Sequence, residues 1–164
     1  MVTDTDSAEL ARLLVARAGE VAATVATAES CTGGLVGSAI TAVPGSSAIY
    51  LGGCITYSND AKTALLGVTR DVLAGDGAVS ERCARQMADG VRNRLGATLA
   101  VSITGIAGPG GGTREKPIGT VWIGLATAEG ARAEAFRFSG DRAEVRRAST
   151  VAALKAILSE LTSG

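Results

Sequence analysis

The chain has 164 residues, which reads as one domain over 1–164, and its 16 basic and 16 acidic residues cancel. That balance lacks the basic footprint of a nucleic-acid or membrane-surface protein, and 3% aromatics are too few for base-stacking platforms. With no histidine anywhere, Ser-His and Cys-His pairs and His-based metal sites are excluded, so a general base must be Lys, Asp, Glu or Tyr.

In chain order, Leu10, Leu13, Leu14 and Ala18 recur at helical spacing and predict a helix from Asp6 to Ala18, capped by Asp6 or Ser7 and stopped by Gly19. The acidic N-terminus carries neither a secretory signal nor a spanning apolar run, and the expectation is a cytoplasmic protein. Val21–Ala28 reads as a strand, Gly33–Val43 as a helix ended by Pro44-Gly45, and Gly52–Tyr57 as a second strand. Ser58-Asn-Asp caps a short helix through Lys62 to Leu66, closed by Gly67. Ser80 caps a helix with Ala84, Met87, Ala88, Val91 and Leu95 on one face, ending at Gly96. Leu99–Ile103 is a short apolar strand. Gly119–Ala126 and Ala131–Phe138 form a hairpin through Ala128-Glu-Gly130, and a long helix follows Ser139-Gly-Asp141. This order predicts a three-layer α/β/α sandwich with a mixed, mostly parallel sheet and a site at the strand tips.

Two glycine-rich loops stand at predicted strand ends. Glu29-Ser-Cys-Thr-Gly-Gly34 opens a helix, where unpaired N–H groups suit an anion or a polarised carbonyl oxygen. The loop from Thr104 to Gly112, with Gly105 and Gly108 in it, is longer than a connection needs. Arg142 and Arg146, one turn apart at the start of the last helix, oppose its dipole and suit a phosphate. Lys62 is the candidate base, because the positive end of its helix disfavours the ammonium form, and Tyr57 is placed to orient the amine or relay a proton. On physical grounds the nucleophile stays open among Ser30, Ser46, Ser47 and Cys31. The three cysteines, Cys31, Cys54 and Cys83, have no paired-ligand or redox spacing and read as reduced thiols.

A family resemblance rests on Ala28-Glu-Ser-Cys-Thr-Gly-Gly34, Gly45-Ser-Ser-Ala48, Thr56-Tyr-Ser-Asn59 with Lys62, Gly77-Ala-Val-Ser80, Ser102-Ile-Thr-Gly-Ile-Ala-Gly-Pro109, Lys116-Pro-Ile-Gly-Thr-Val121 and Phe138-Ser-Gly-Asp-Arg142. From about Leu10 to Leu161 the chain resembles the CinA C-terminal domain family. The resemblance implies a three-layer fold and a nicotinamide mononucleotide deamidase of pyridine-nucleotide salvage, without metal or other cofactor. It further implies Ser47 as nucleophile, Lys62 as base and Tyr57 assisting. Ser30, Thr32, Gly33, Thr104, Gly105, Gly108, Arg142 and Arg146 are then the expected substrate contacts. The alternative is a nucleotide-sensing module of the same fold, since fold alone does not establish turnover. The expected partner is a small mononucleotide, with no nucleic acid and no membrane, and a homo-oligomer is expected from the prevalence of symmetric assemblies.

Overall fold

The computed structural model describes residues 3–163, so the reading of the N-terminus lies partly outside the described residues, at Met1 and Val2. In chain order the elements are α1 (Asp4–Glu20), β1 (Val25–Glu29), α2 (Leu35–Thr41), a 3-10 turn (Ser46–Ala48), β2 (Tyr50–Ile55), α3 (Asn59–Leu66), α4 (Arg70–Gly75), α5 (Glu81–Leu95), β3 (Leu99–Gly105), β4 (Thr120–Thr127), β5 (Gly130–Arg137) and α6 (Arg142–Ser163).

The strands form a five-stranded mixed sheet in the order β2-β1-β3-β4-β5. β1 pairs parallel with β2 and β3, while β3-β4 and β4-β5 are antiparallel. Only β4 therefore runs against the other four, which is the sense in which the sheet is mostly parallel. One face carries Val25, Val101 and Ile103 into a core with Leu14 of α1, Ile40 of α2 and Leu154 and Ile157 of α6. The other carries the smaller Ala26, Ala28 and Ala100, packed with Leu66, Val72, Met87 and Val91 of α3–α5. Strand alternation sends these two sets to opposite sides.

Small residues bring α5 unusually close. The Ser102 hydroxyl donates to the Ala84 carbonyl at 2.6 Å, and a Cβ on Gly90 would overlap the Leu66 carbonyl oxygen of α3. This second approach fixes α3, which carries Lys62, against α5.

Several boundaries differ from expectation. The cap of α1 is Thr3, whose hydroxyl accepts from the Asp6 N–H while the Asp6 carboxylate takes the Thr3 N–H, so Asp6 closes a capping box instead of starting the helix. Val21 completes the α1 C-terminus by donating to the Arg17 carbonyl, and β1 begins only at Val25. β2 runs two residues earlier than predicted, which leaves Tyr57 beyond the strand. β3 extends to Gly105, so Thr104 is a strand residue and not part of the following loop. The Ser58 and Ser80 caps, with Gly67 and Gly96 at the opposite ends, form as expected. α4, capped by Thr69, had no predicted counterpart.

Gly90→Ala is expected to lower stability by about 1–3 kcal/mol through overpacking, seen as a reduced urea midpoint. Gly19→Ala, where a Cβ meets nothing within 4 Å, should instead be neutral or stabilising by up to about 1 kcal/mol. An unchanged midpoint for Gly90→Ala would mean that α3 and α5 are not held in backbone contact.

Candidate active site

The site forms where β1, β2 and β3 end on the same edge of the sheet. Ser30 directly follows β1, and its N–H donates to the Ile103 carbonyl of β3. From α3, Lys62 sends its amine back to this edge, where Nζ lies 3.0 Å from Ser30 Oγ and donates to the Thr56 carbonyl at 2.8 Å. Lys62 is 2% exposed. Burial holds its pKa below the ordinary 10.5, and the Cys83 and Cys31 thiols nearby oppose that shift only in part.

A cavity of about 200 Å³ opens beside this pair, lined by Ser30, Cys31, Lys62, Thr104, Arg142 and Tyr57 together with Asn59, Ala78, Val79, Gly105 and Ala107. Its lining holds two basic side chains, Lys62 and Arg142, and no carboxylate among the described residues. A larger apolar groove of about 550 Å³ lies between β5 and α6 and holds neither Ser30 nor Lys62. The chemistry therefore marks the smaller cavity. Cys31 is a poor nucleophile there, because burial pushes its thiol up to about 11 and leaves it protonated near neutral pH.

The Ser30–Gly34 turn is held from two sides. Gly33 and Gly34 have φ of +58° and +103°, a left-handed pair that side chains resist. Glu29, buried at the end of β1, accepts from the N–H groups of Gly34 (2.9 Å), Val36 (3.2 Å) and Gly37 (2.9 Å). Its carboxylate thus fills the start of α2, and the expected open anion site at that helix end is closed by the chain's own acid. From the other side, Arg146 of α6 donates to the Cys31 and Thr32 carbonyls, each at 3.0 Å.

The remaining residues divide clearly. Thr104 is buried and its hydroxyl donates to the Ala78 carbonyl at 2.8 Å, fixing one cavity wall, and Gly105 continues that wall. Arg142 reaches the mouth, donating to the Gly108 carbonyl and to the Tyr57 hydroxyl, both at 2.9 Å. The start of α6 is already balanced by a box in which Asp141 accepts from the Glu144 N–H and Glu144 accepts from the Asp141 N–H.

Three expectations change. Ser47 is exposed in the 3-10 turn before β2, whereas the Lys62 amine meets the carbonyl just after β2; six strand residues, about 20 Å, separate the two edges. The residue brought to Lys62 is Ser30, one of the four candidate nucleophiles left open on physical grounds and, by the family resemblance, a substrate contact. Tyr57 is 64% exposed and bonded to Arg142, not to Lys62. Arg146 commits Nε and Nη2 to backbone carbonyls, so it braces the turn where Thr32 and Gly33 lie and does not present an open fork to a phosphate. Sequence reasoning missed Glu29; the available signal was an acid just ahead of a helix whose cap, Gly34, has no side chain to offer.

Fold and site together define an α/β protein with a mixed sheet and a buried lysine on a serine at the strand tips. Residues 7–161 match the family model of the CinA C-terminal domain, and the chain belongs to that family. It is 54% identical over 143 residues to a CinA-like protein of Chlorobaculum tepidum and 50% identical over 135 residues to one of Geobacter metallireducens. These matches cover 84% and 82% of this chain but 34% and 33% of the relatives, so the chain spans about a third of their length. Among solved structures it is similar to competence/damage inducible protein CihA from Agrobacterium tumefaciens, with a TM-score of 0.92, 43% identity and 96% of each chain covered. It is also similar to a competence-damaged protein (CinA) superfamily protein from Escherichia coli, with a TM-score of 0.90, 34% identity, and 98% of this chain and 94% of that one covered.

Glu29→Gln should destabilise the protein by about 1.5–3 kcal/mol, the worth of hydrogen bonds to a charged acceptor, because the amide nitrogen turns a donor toward donors. Urea unfolding reads this directly; wild-type stability in Glu29→Gln would show that the carboxylate does not hold the start of α2.

Proposed function

We propose that this protein is a nicotinamide-nucleotide amidase, converting nicotinamide mononucleotide to nicotinic acid mononucleotide and ammonia, with Ser30 as nucleophile and Lys62 as its base. The observation that carries the reading is the 3.0 Å approach of the buried Lys62 amine to Ser30 Oγ, inside a cavity lined by Arg142 at its mouth and by no described carboxylate. The neutral amine takes the Ser30 proton as Oγ bonds to the carboxamide carbon. Lys62 then returns that proton to the leaving nitrogen as the C–N bond breaks, releasing ammonia and an ester on Ser30. A water gives Lys62 its proton, adds to the ester and frees the carboxylate, and Ser30 is reprotonated. No step calls for a metal or another cofactor.

The cavity is smaller than the roughly 300–1,000 Å³ typical of whole-ligand pockets. It suits the pyridine carboxamide alone, with the ribose phosphate at the mouth beside Arg142 and Tyr57. An anionic mononucleotide matches this cationic opening, and the proposed partner is that small molecule, with no role for nucleic acid or membrane. No helix among the described residues is long and apolar enough to cross a membrane.

Ser30→Ala and Lys62→Met are each expected to reduce ammonia release from nicotinamide mononucleotide by a factor on the order of 10³ or more, with folding retained by circular dichroism. Ser47→Ala should keep turnover within about threefold, as a surface change remote from the reacting atoms. Full activity in folded Ser30→Ala, or its loss in Ser47→Ala, would move the nucleophile away from Ser30. Wild-type protein that binds the mononucleotide without releasing ammonia would favour the sensing module.

The pH profile follows from the lysine. Because the neutral amine is the reactive form, kcat/KM should rise with pH with a slope of one and level off at a midpoint below 10.5, the direction in which burial displaces Lys62. Stability runs the same way: the unfolded chain holds this proton more tightly than the folded one, so between the folded pKa and 10.5 raising the pH favours folding. A kcat/KM profile that falls across this limb would exclude a neutral lysine as base.

A further inference from the structure

We infer that the β5 edge of the sheet is an interface with a second copy of this chain: two β5 strands pair antiparallel about a two-fold axis at Ala133 and join the sheets of the two copies into one. The inference stands apart from the proposed chemistry, because β5 and the cavity beside Lys62 share no residue.

β5 closes the sheet order, runs for eight residues in continuous register with β4 and contains no proline. The two-residue turn Ala128-Glu129 closes the Thr127–Gly130 pair, so Gly130, Arg132, Glu134 and Phe136 turn their N–H and C=O groups toward β4. The same phase continues past the strand, where the Phe138 N–H donates to the Gly119 carbonyl. Ala131, Ala133 and Ala135 therefore point their backbone groups outward, and Arg85 takes up only the Ala131 carbonyl. An edge this long and open is a template for another strand. The opposite edge is a poorer one, since β2 carries a register irregularity at its start and two consecutive glycines, Gly52 and Gly53.

Charge names both the occupant and the register. Glu129, Arg132, Glu134 and Arg137 are the four charged residues of 128–138, and their signs are antisymmetric about Ala133: Arg132 and Glu134 lie one residue to either side, Glu129 and Arg137 four residues to either side. A two-fold axis at Ala133 makes contacts reciprocal, so Arg132 of each copy faces Glu134 of the other, and Arg137 comes to Glu129 at the other copy's turn. Moving the axis by one residue instead sets Arg132 against Arg132 or Glu134 against Glu134. Within one chain Arg132 pairs with Glu160 of α6, whereas Glu134 has no ion pair among the described residues, and the second copy supplies it. The same register places Phe136 opposite Gly130 of the second copy, where a Cβ would meet nothing within 4 Å and the ring has room. Arg132, Glu134 and Phe136 also line the apolar groove between β5 and α6, so the added strand extends the wall of that groove. An unrelated protein would match this pattern only by coincidence; a second copy matches it by symmetry.

The test is the oligomeric state, read by sedimentation at concentrations up to roughly 100 µM, where an association with micromolar Kd is populated. Wild type should sediment at twice the chain mass of 16.4 kDa. Arg132→Glu and Glu134→Arg should each weaken association by about tenfold or more, because two opposite-charge pairs become two like-charge pairs. The double variant should associate again, and a mixture of the two single variants should form a heterodimer, since each supplies the charge that the other lacks. Ala133→Pro removes an N–H that β4 does not use, so it should leave a folded monomer. In hydrogen exchange the Ala133 and Ala135 amides should gain protection as the concentration rises. Monomeric wild type over the whole range overturns the inference, as does a dimer that survives both single charge variants, which must use another surface. Edge amides that exchange equally fast at every concentration overturn it too. A double variant and a mixture that both stay monomeric overturn the register about Ala133. Should Ala133→Pro unfold, the charge series and the exchange rates decide by themselves.

Discussion

An amine buried without a carboxylate beside it is the constraint on which this molecule turns. Lys62 is almost wholly removed from water, and its neighbours are a serine hydroxyl and a backbone carbonyl. Removing an ammonium from water is costly unless it is paired, so the group sheds its proton more readily than a solvated lysine does. A carboxylate at hydrogen-bonding distance would reverse that effect. The nearest buried acid in sequence to Ser30, Glu29, is turned away into the start of α2 and bonded there to three N–H groups. One residue thus caps a helix that lacks a capping side chain while its charge is neutralised by backbone donors and not by Lys62.

The rest of the fold serves the placement of that amine. Lys62 sits in the second turn of α3, after the Ser58 cap, so its long stem can run back beside the strand ends. α3 in turn is located by α5, which approaches closely because Gly90 leaves room for the Leu66 carbonyl and because Ala26, Ala28 and Ala100 present little bulk on that face of the sheet. The opposite face carries the larger Val, Leu and Ile side chains that anchor α1 and α6. α6 then supplies both arginines, one to the cavity mouth and one to the back of the Ser30–Gly34 turn. A mixed sheet lets three parallel strands end together at the site, while the β4-β5 hairpin extends the platform on which α5 and α6 rest.

Much of this was legible in the sequence, and the division follows from range. Local signals worked where the deciding interaction is local: Ser58, Ser80, Gly67 and Gly96 mark helix ends through contacts within a few residues, and Lys62 was found from its distance to a cap. The choice of serine was not local. Ser30 and Ser47 both follow turn signals, and only the register of β1 against β2 and β3 shows that they lie at opposite edges of the sheet. The arginines illustrate the same limit. Their spacing put them on one helix face, yet whether a guanidinium meets a phosphate or two backbone carbonyls depends on a turn 114 and 115 residues away. α4 escaped notice because six residues are too few for a helical period to stand out.

On the proposed amidase reading, a lysine base in place of histidine also ties the chemistry to the exclusion of water. Histidine titrates near neutrality without help, whereas lysine must be held dry to reach the same range. The cavity walls are correspondingly pinned. The 76–80 segment is held by Thr104 donating to the Ala78 carbonyl, by Ser80 donating to the Gly77 carbonyl and by Lys116 donating to the Asp76 carbonyl. The last of these ties the glycine-rich loop to the same wall, so a loop that sequence reasoning assigned to ligand contact also closes the cavity. Loosening that wall would admit water to Lys62 and raise its affinity for a proton, which on the proposed reading lowers the fraction of reactive amine. Every contact that keeps the cavity dry therefore acts on the proton affinity of one nitrogen, so contacts far from Nζ still tune the group that the proposed reading makes the base.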